Sequence, residues 1–223
     1  MIRVYFILVF LSALGSEVYS QTTTLKFIAT WQGESVVLGK QYFSTTLKDS
    51  IQFDRLRFYI SDLTFVNDSL EKPHSKQHIL LDFEKSTTIN LDSSIAFKGI
   101  NFKLGIDSIT NVSGAFGGDL DPTVGMYWSW QSGYVNFKLE GKSNALHSSN
   151  QKFQFHLGGY SFPNKNVARV SLKTNKNSQN IIELPLDLLF KEIDLSVQNT
   201  IMSPSLKAVE MTQTIAGIIQ IQK

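Results

Sequence analysis

Residues 153–159 read Phe-Gln-Phe-His-Leu-Gly-Gly, and residues 135–139 read Val-Asn-Phe-Lys-Leu. In both, apolar side chains take every second position. Successive side chains of an extended chain point to opposite faces, so each segment has one apolar and one polar face. That is the pattern of a half-buried β-strand; a helix would repeat its apolar positions at three and four. The same period of two recurs along the chain: Leu25, Phe27, Ala29 and Trp31; Leu56, Phe58 and Ile60; Ile79, Leu81 and Phe83; Phe102, Leu104 and Ile106; Ala168, Val170 and Leu172; and Ile182, Leu184, Leu186 and Leu188. Turn-forming residues separate these runs, as at Asn67-Asp68, Pro73, Gly141 and Asn175 to Asn177. Short strands with regular turn punctuation predict an all-β chain, an antiparallel β-sandwich with long loops. Pro185 has no N–H to donate, so its run is expected at an edge or bulge.

One short C-terminal helix is also predicted. Ser203 can cap it, Pro204 suits the first helical position, and Ala208, Met211, Ile215 and Ile218 recur at helical spacing. Ile193 to Val197 alternates too, although a helical turn would fit there. No repeat, low-complexity tract or linker divides the chain, so residues 21–223 are read as one domain. A chain of 223 residues can bury well over half of its unfolded surface. Ordinary hydrophobicity (42%) and modest charge (18%) exclude wholesale disorder. Zero cysteines exclude disulfides, iron–sulfur clusters and thiol catalysis. A net charge of +2 with no basic cluster gives no reason to expect nucleic acid.

Residues 1–20 stand apart. Arg3 supplies a positive start, Val4 to Leu14 is nearly unbroken apolar sequence, and Val18-Tyr19-Ser20 offers a cleavage site. This reads as a secretory signal peptide, too short in its apolar run to span a bilayer. No later segment reaches membrane-spanning length. A periplasmic, secreted or cell-surface protein is expected.

The chemically informative stretch is residues 105–134, GIDSITNVSGAFGGDLDPTVGMYWSWQSGY. A glycine-rich loop leads into an aromatic segment. If residues 125–133 are extended, Met126, Trp128 and Trp130 share one face. That row is either core, where sandwich tryptophans usually pack, or a site for a soft cation such as Cu(I), which thioethers and indole faces suit. His156 lies off the apolar face of its strand, near its end, free for a cleft or for an ordinary hydrogen bond. His147 could approach it if residues 137–140 and 153–157 form a hairpin. His74 and His78 are read as solvated. Asp119 and Asp121, with Asp107 and Asn111 nearby, offer oxygens for Ca²⁺. They lack the twelve-residue calcium-loop pattern, so Asx-type turns are the favoured reading. No Gly-x-Ser-x-Gly, HExxH or phosphate-cradling loop is present, and a non-enzyme is expected.

Gly118 to Pro122, Gly125 to Tyr134, Asn136 to Gly141 and Phe155 to Gly158 together resemble the MbnP-like family, named for the methanobactin partner protein. Arg57 to Ser61 and Met202 to Pro204 extend the likeness. The resemblance implies extracytoplasmic copper binding on a β-rich fold. It also implies histidine ligands and a tryptophan that can be oxidised to kynurenine, and a haem peroxidase-like partner protein. By motif position, Trp128 or Trp130 is the tryptophan candidate and His156 a histidine candidate, with His147 a weaker one. The chain departs from methanotroph relatives in having no histidine between His78 and His147. It has Met202 where some relatives place a histidine nearby. The expected function is an exported copper-binding protein using Trp128 or Trp130, His156 and Met126 or Met202. The alternative is a cell-surface module for a glycan or protein partner, with the tryptophans as stacking platform or core.

Overall fold

A computed structural model of the chain describes residues 24–45, 48–68, 70–91, 97–131, 133–146, 151–174 and 181–222. The proposed signal peptide and His147 lie outside the described residues. Among the described residues, fifteen strands and three α-helices follow one another. The strands are β1 (Thr24–Trp31), β2 (Glu34–Ser35), β3 (Gln41–Ser44), β4 (Asp49–Asn67), β5 (Leu70–Pro73), β6 (His78–Asp82), β7 (Thr88–Asn90) and β8 (Gly99–Leu104). After helix α1 (Ser108–Val112) come β9 (Tyr127–Trp128), β10 (Gly133–Ser143), β11 (Lys152–Gly158), β12 (Ala168–Lys173) and β13 (Ile181–Pro185). Helix α2 (Leu186–Glu192), β14 (Thr200–Ile201), helix α3 (Leu206–Ile218) and β15 (Gln220–Ile221) complete the order.

The strands form two sheets, as a sandwich requires. The smaller runs β15-β13-β1-β2, with β7 also on β1; the larger runs β12-β8-β4-β10-β11-β14, with β3, β5 and β6 on β4 and β9 on β10. The 19-residue β4 is the spine of the larger sheet and pairs with different neighbours along its length. Alternation explains the core between the sheets. The inward side chains of β1, Phe27 and Trp31, meet those of the larger sheet: Phe27 packs edge-on against Phe58 and Phe102, and Trp31 lies 5.4 Å from Phe53. Phe58 stacks on its cross-strand neighbour Phe137 at 5.6 Å. Phe190 of α2 closes one end against Trp31, Phe53 and Phe153. Ala208, Met211 and Ile215 of α3 join the same core at helical spacing.

Four expectations need correction. Two pairings are parallel, β1 with β13 and β11 with β14, so the sandwich is mixed rather than wholly antiparallel. The run from Ile182 to Leu188 is not one strand: it ends at Pro185, and Leu186 and Leu188 belong to α2. Pro185 lies on an interior strand, at its last residue, where no further ladder N–H is needed. The C-terminal helix begins two residues later than expected, capped by Ser205, whose Oγ accepts from the Ala208 N–H at 3.2 Å.

Candidate metal centre

The outer face of the larger sheet, away from the core, carries the site. Its residues follow from strand parity. On β11, Phe153, Phe155 and Leu157 point inward, so Gln154, His156 and Gly158 point outward; on β10, Phe137 and Leu139 point inward and Lys138 and Glu140 outward. Ladder register then lines them up. Lys138 lies opposite His156 on one side and Arg57 on the other, and Arg57 lies opposite Asp82. One row of side chains therefore reads Asp82, Arg57, Lys138, His156 across four strands.

These charges neutralise one another. Arg57 Nε meets Asp82 at 3.1 Å and its Nη2 contacts Glu84; Arg55 meets Glu140 at 3.0 Å and Glu84 at 3.5 Å. His156 Nε2 is 2.6 Å from Glu140 Oε1. The His156 hydrogen bond holds the Glu140 carboxyl below its ordinary pKa, against the effect of burial, and the His156, Arg55 and Lys138 charges add to it. Burial pulls the Lys138 ammonium below its ordinary value; Glu140 opposes this, while Arg55 and Arg57 add to it. The expected hairpin of residues 137–140 and 153–157 is present, and it is what brings Glu140 to His156. Sequence reasoning missed Glu140, although its alternation with Lys138 on the polar face of that hairpin was the signal.

The glycine-rich loop folds back over the same face. Arg57 Nη1 donates to the Val124 carbonyl at 2.9 Å and Lys138 Nζ to that of Gly125. Gly125 sits at φ +74°, a left-handed turn that suits glycine. The chain then enters β9, which pairs Tyr127 with Tyr134 and Trp128 with Gly133. Met126, Trp128, Tyr59, Ile106, Leu120, Tyr134 and Val135 form a second, smaller core under this loop. Tyr134 Oη donates to the Leu120 carbonyl at 3.0 Å and Tyr59 Oη to that of Asp119 at 2.8 Å. Burial pushes both phenols above their ordinary pKa.

The aromatic segment is not extended through residue 133. Strand β9 stops at Trp128, and Trp130 sits in the following turn. The structure nevertheless keeps the two indoles together, 5.9 Å apart and tilted by 48°. Trp128 is 6% exposed and Trp130 64%, so one is packed and the other presented to solvent. Met126 is wholly buried. Trp128 lies directly over Gly158: a Cβ built there would fall 2.6 Å from its ring. Gly158 and His156 are two residues apart on one strand face, so the indole covers the next outward position along from the imidazole. Met202 follows the last paired residue of a third segment, β14. Ile201 pairs with Phe155 in the parallel β11–β14 ladder, so Met202 follows Ile201 as His156 follows Phe155. It is 40% exposed.

The other candidates sit elsewhere. Asp121 caps the turn at residues 122–124, accepting from Thr123 N and Oγ1. Asp119 accepts from the Leu80 N–H at 3.2 Å. Asp107 caps α1, and the Asn111 side chain is buried on the backbone of Ile106, Asp107 and Tyr134. Asp121 and Asp107 thus cap local turns, and Asp119 ties the loop to β6. His78 is not solvated: it begins β6 as expected, but lies 3.4 Å from both Asp107 and Thr110. Among the described residues no group of three or more His, Asp or Glu side chains is placed to hold a metal.

The fold and this face define a β-sandwich domain whose larger sheet carries His156 on its outer face, two strand positions from the glycine that Trp128 covers. The chain belongs to the MbnP family, whose model matches residues 20–203. Among solved structures it is similar to MbnP from Methylosinus trichosporium, with a TM-score of 0.57, 20% identity and 80% of each chain covered. At that identity the likeness shows the fold. A search of curated proteins finds no match. No helix among the described residues is long and apolar enough to cross a membrane.

Proposed function

We propose that this chain is an exported copper-binding protein in which His156 and Met202 are the donors and Trp128 forms the adjacent wall. Copper is the cargo, held for uptake, storage or transfer. The observation that carries the reading is the His156–Glu140 hydrogen bond of 2.6 Å. Metal-binding imidazoles almost always give their second N–H to a carboxylate or carbonyl, which fixes the tautomer. With Nε2–H donated to Glu140, Nδ1 keeps its lone pair. One imidazole and one thioether suit a soft ion at low coordination number, so the residues fit Cu(I) better than a many-oxygen cation. Met126 contributes packing behind Trp128. Membership of the MbnP family and the leader-like residues 1–20 support the copper and export parts of the reading. A binding rather than catalytic role, and a haem peroxidase-like partner, belong to the same proposal.

The test is titration of the mature chain with Cu(I) and Cu(II) against a competing chelator. Tighter binding of Cu(I), lost in His156→Ala and weakened in Met202→Ala, is expected. Equal affinity in the wild type and His156→Ala overturns it.

A further inference from the structure

The turn after β9 turns Trp130 outward, over a cleft of about 400 Å³ lined by Trp130, Gln131, Tyr160, Ser161, Asn164 and Ser203. Its size falls in the range of small-molecule sites. The lining contains no charged side chain. The neighbouring cleft beside α1, by contrast, is walled by Asp62, Lys103, Asp107 and Lys165. Two aromatic rings flank the uncharged cleft. Trp130 is 64% exposed, and the Tyr160 ring is held against β10, where a Cβ on Gly133 would fall 3.1 Å from it. The side-chain amides of Gln131 and Asn164 and the hydroxyls of Tyr160, Ser161 and Ser203 have no hydrogen-bond partner among the described residues. Elsewhere on the same side of the molecule such groups are committed: Ser108 Oγ donates to the Tyr160 carbonyl and Asn111 bonds three backbone groups.

A ligand matching this lining is uncharged, has an apolar face for the indole and a rim of hydroxyls for the amides. A pyranose ring has both: its axial C–H bonds form a flat apolar face and its equatorial hydroxyls donate and accept in the ring plane. We propose that this cleft binds a neutral saccharide, with Trp130 stacked on a sugar ring and Gln131, Asn164 and Tyr160 bonding its hydroxyls. The site uses the outward face of Trp130. Neither proposed copper donor, His156 nor Met202, lines the cleft, so the two functions are separable.

The experiment titrates the mature full-length chain with cellotriose, maltotriose, chitotriose and trigalacturonate, followed by tryptophan fluorescence and amide NMR shifts. At least one neutral trisaccharide is expected to shift residues around 130–131 and 160–164. Trp130→Ala should weaken it about tenfold or more with an unchanged melting temperature, since the side chain is exposed and supports no core. Asn164→Ala should weaken it less. His156→Ala and EDTA should leave it intact while the former removes copper binding. Failure of every neutral trisaccharide, binding of trigalacturonate alone, or undiminished binding in Trp130→Ala overturns the proposal without touching the copper reading.

Discussion

Gly158→Ala tests whether Trp128 and His156 share one face. A methyl at Gly158 would lie 2.5 Å from the Tyr134 carbonyl oxygen, and 2.6 and 2.9 Å from Trp128 Cζ3 and Cη2. Carbon approaches a carbonyl oxygen or an aromatic carbon no closer than roughly 3.3–3.5 Å without repulsion. Neither neighbour yields easily. Tyr134 belongs to β10 beside β11, and Trp128 is packed with Met126, Tyr134 and Val135. Overpacking of this kind costs about 1–3 kcal/mol if the structure adjusts, and expelling the indole approaches the ~3–5 kcal/mol of a tryptophan truncation. About 3 kcal/mol is the working value. With a urea m-value of about 2 kcal/mol/M, the midpoint should fall by about 1.5 M. The control is Gly217→Ala, the same chemical change on an exposed helical glycine with nothing within 4 Å of the added carbon. It should stabilise by up to about 1 kcal/mol. Urea unfolding followed by tryptophan fluorescence reads both. A loss below about 0.5 kcal/mol in Gly158→Ala would mean that Trp128 does not rest on β11, and the metal-centre geometry would fall with it.

Glu140→Gln should keep the fold but lower copper affinity about 10–100-fold, because a neutral amide accepts more weakly than a carboxylate and its NH2 can select the other imidazole tautomer; competition titration reads it. Arg57→Ala should cost about 2–4 kcal/mol in chemical denaturation, since it removes the closer of the two cations paired with Asp82 and leaves the Val124 carbonyl without its guanidinium donor. Asp107 is a pH probe: burial alone would raise its pKa, but hydrogen bonds from Thr110, His78 and Ile109 outweigh it and hold it at about 2, against an ordinary 3.8. A depressed carboxyl stabilises the fold above its unfolded pKa, so this contribution is present above about pH 4 and is lost as pH falls through about 2. Unfolding curves across that window should be steeper with pH in the wild type than in Asp107→Asn; identical slopes would refute the assignment.

The strands were legible because a period of two is a local property of the sequence. Strand partners were not. Nothing in Ile181 to Pro185 says that it lies parallel to Thr24 to Trp31, more than a hundred and fifty positions away by register. Periodicity also misleads where elements meet: Leu186 and Leu188 continue the alternation of Ile182 and Leu184, yet they fall on a helix started at Pro185. In the candidate site, parity placed His156 on the outer face correctly. It failed for Trp130 because a turn interrupts β9, and the pairing of indoles survives only through the tertiary fold. Glu140 and Lys138 were not legible as site residues, because Glu140 meets His156 only once the hairpin forms and the loop that reaches Lys138, ending at Gly125, follows a path that no local signal describes.

That covering loop explains why a sandwich keeps such charges on a half-covered face. Buried ion pairs seldom add net stability over apolar replacements, so their retention asks for another reason. Here the geometry supplies one as a hypothesis. Arg57 and Lys138 donate to the carbonyls of Val124 and Gly125, two consecutive residues at the left-handed turn three positions before Trp128. The same row continues through Lys138 to His156. One line of cross-strand neighbours thus sets the approach of the indole and the position of the imidazole together. Lys138→Met separates this positioning role from a stabilising one. It keeps the length and apolar stem of the side chain and removes the donor to Gly125, so global stability should change by less than about 1.5 kcal/mol. The emission of Trp128 should nevertheless shift and copper affinity should fall, with Trp31→Phe and Trp130→Ala as background so that Trp128 is the remaining indole. Unchanged emission and affinity in a stable Lys138→Met protein would show that the loop finds its place by apolar packing alone.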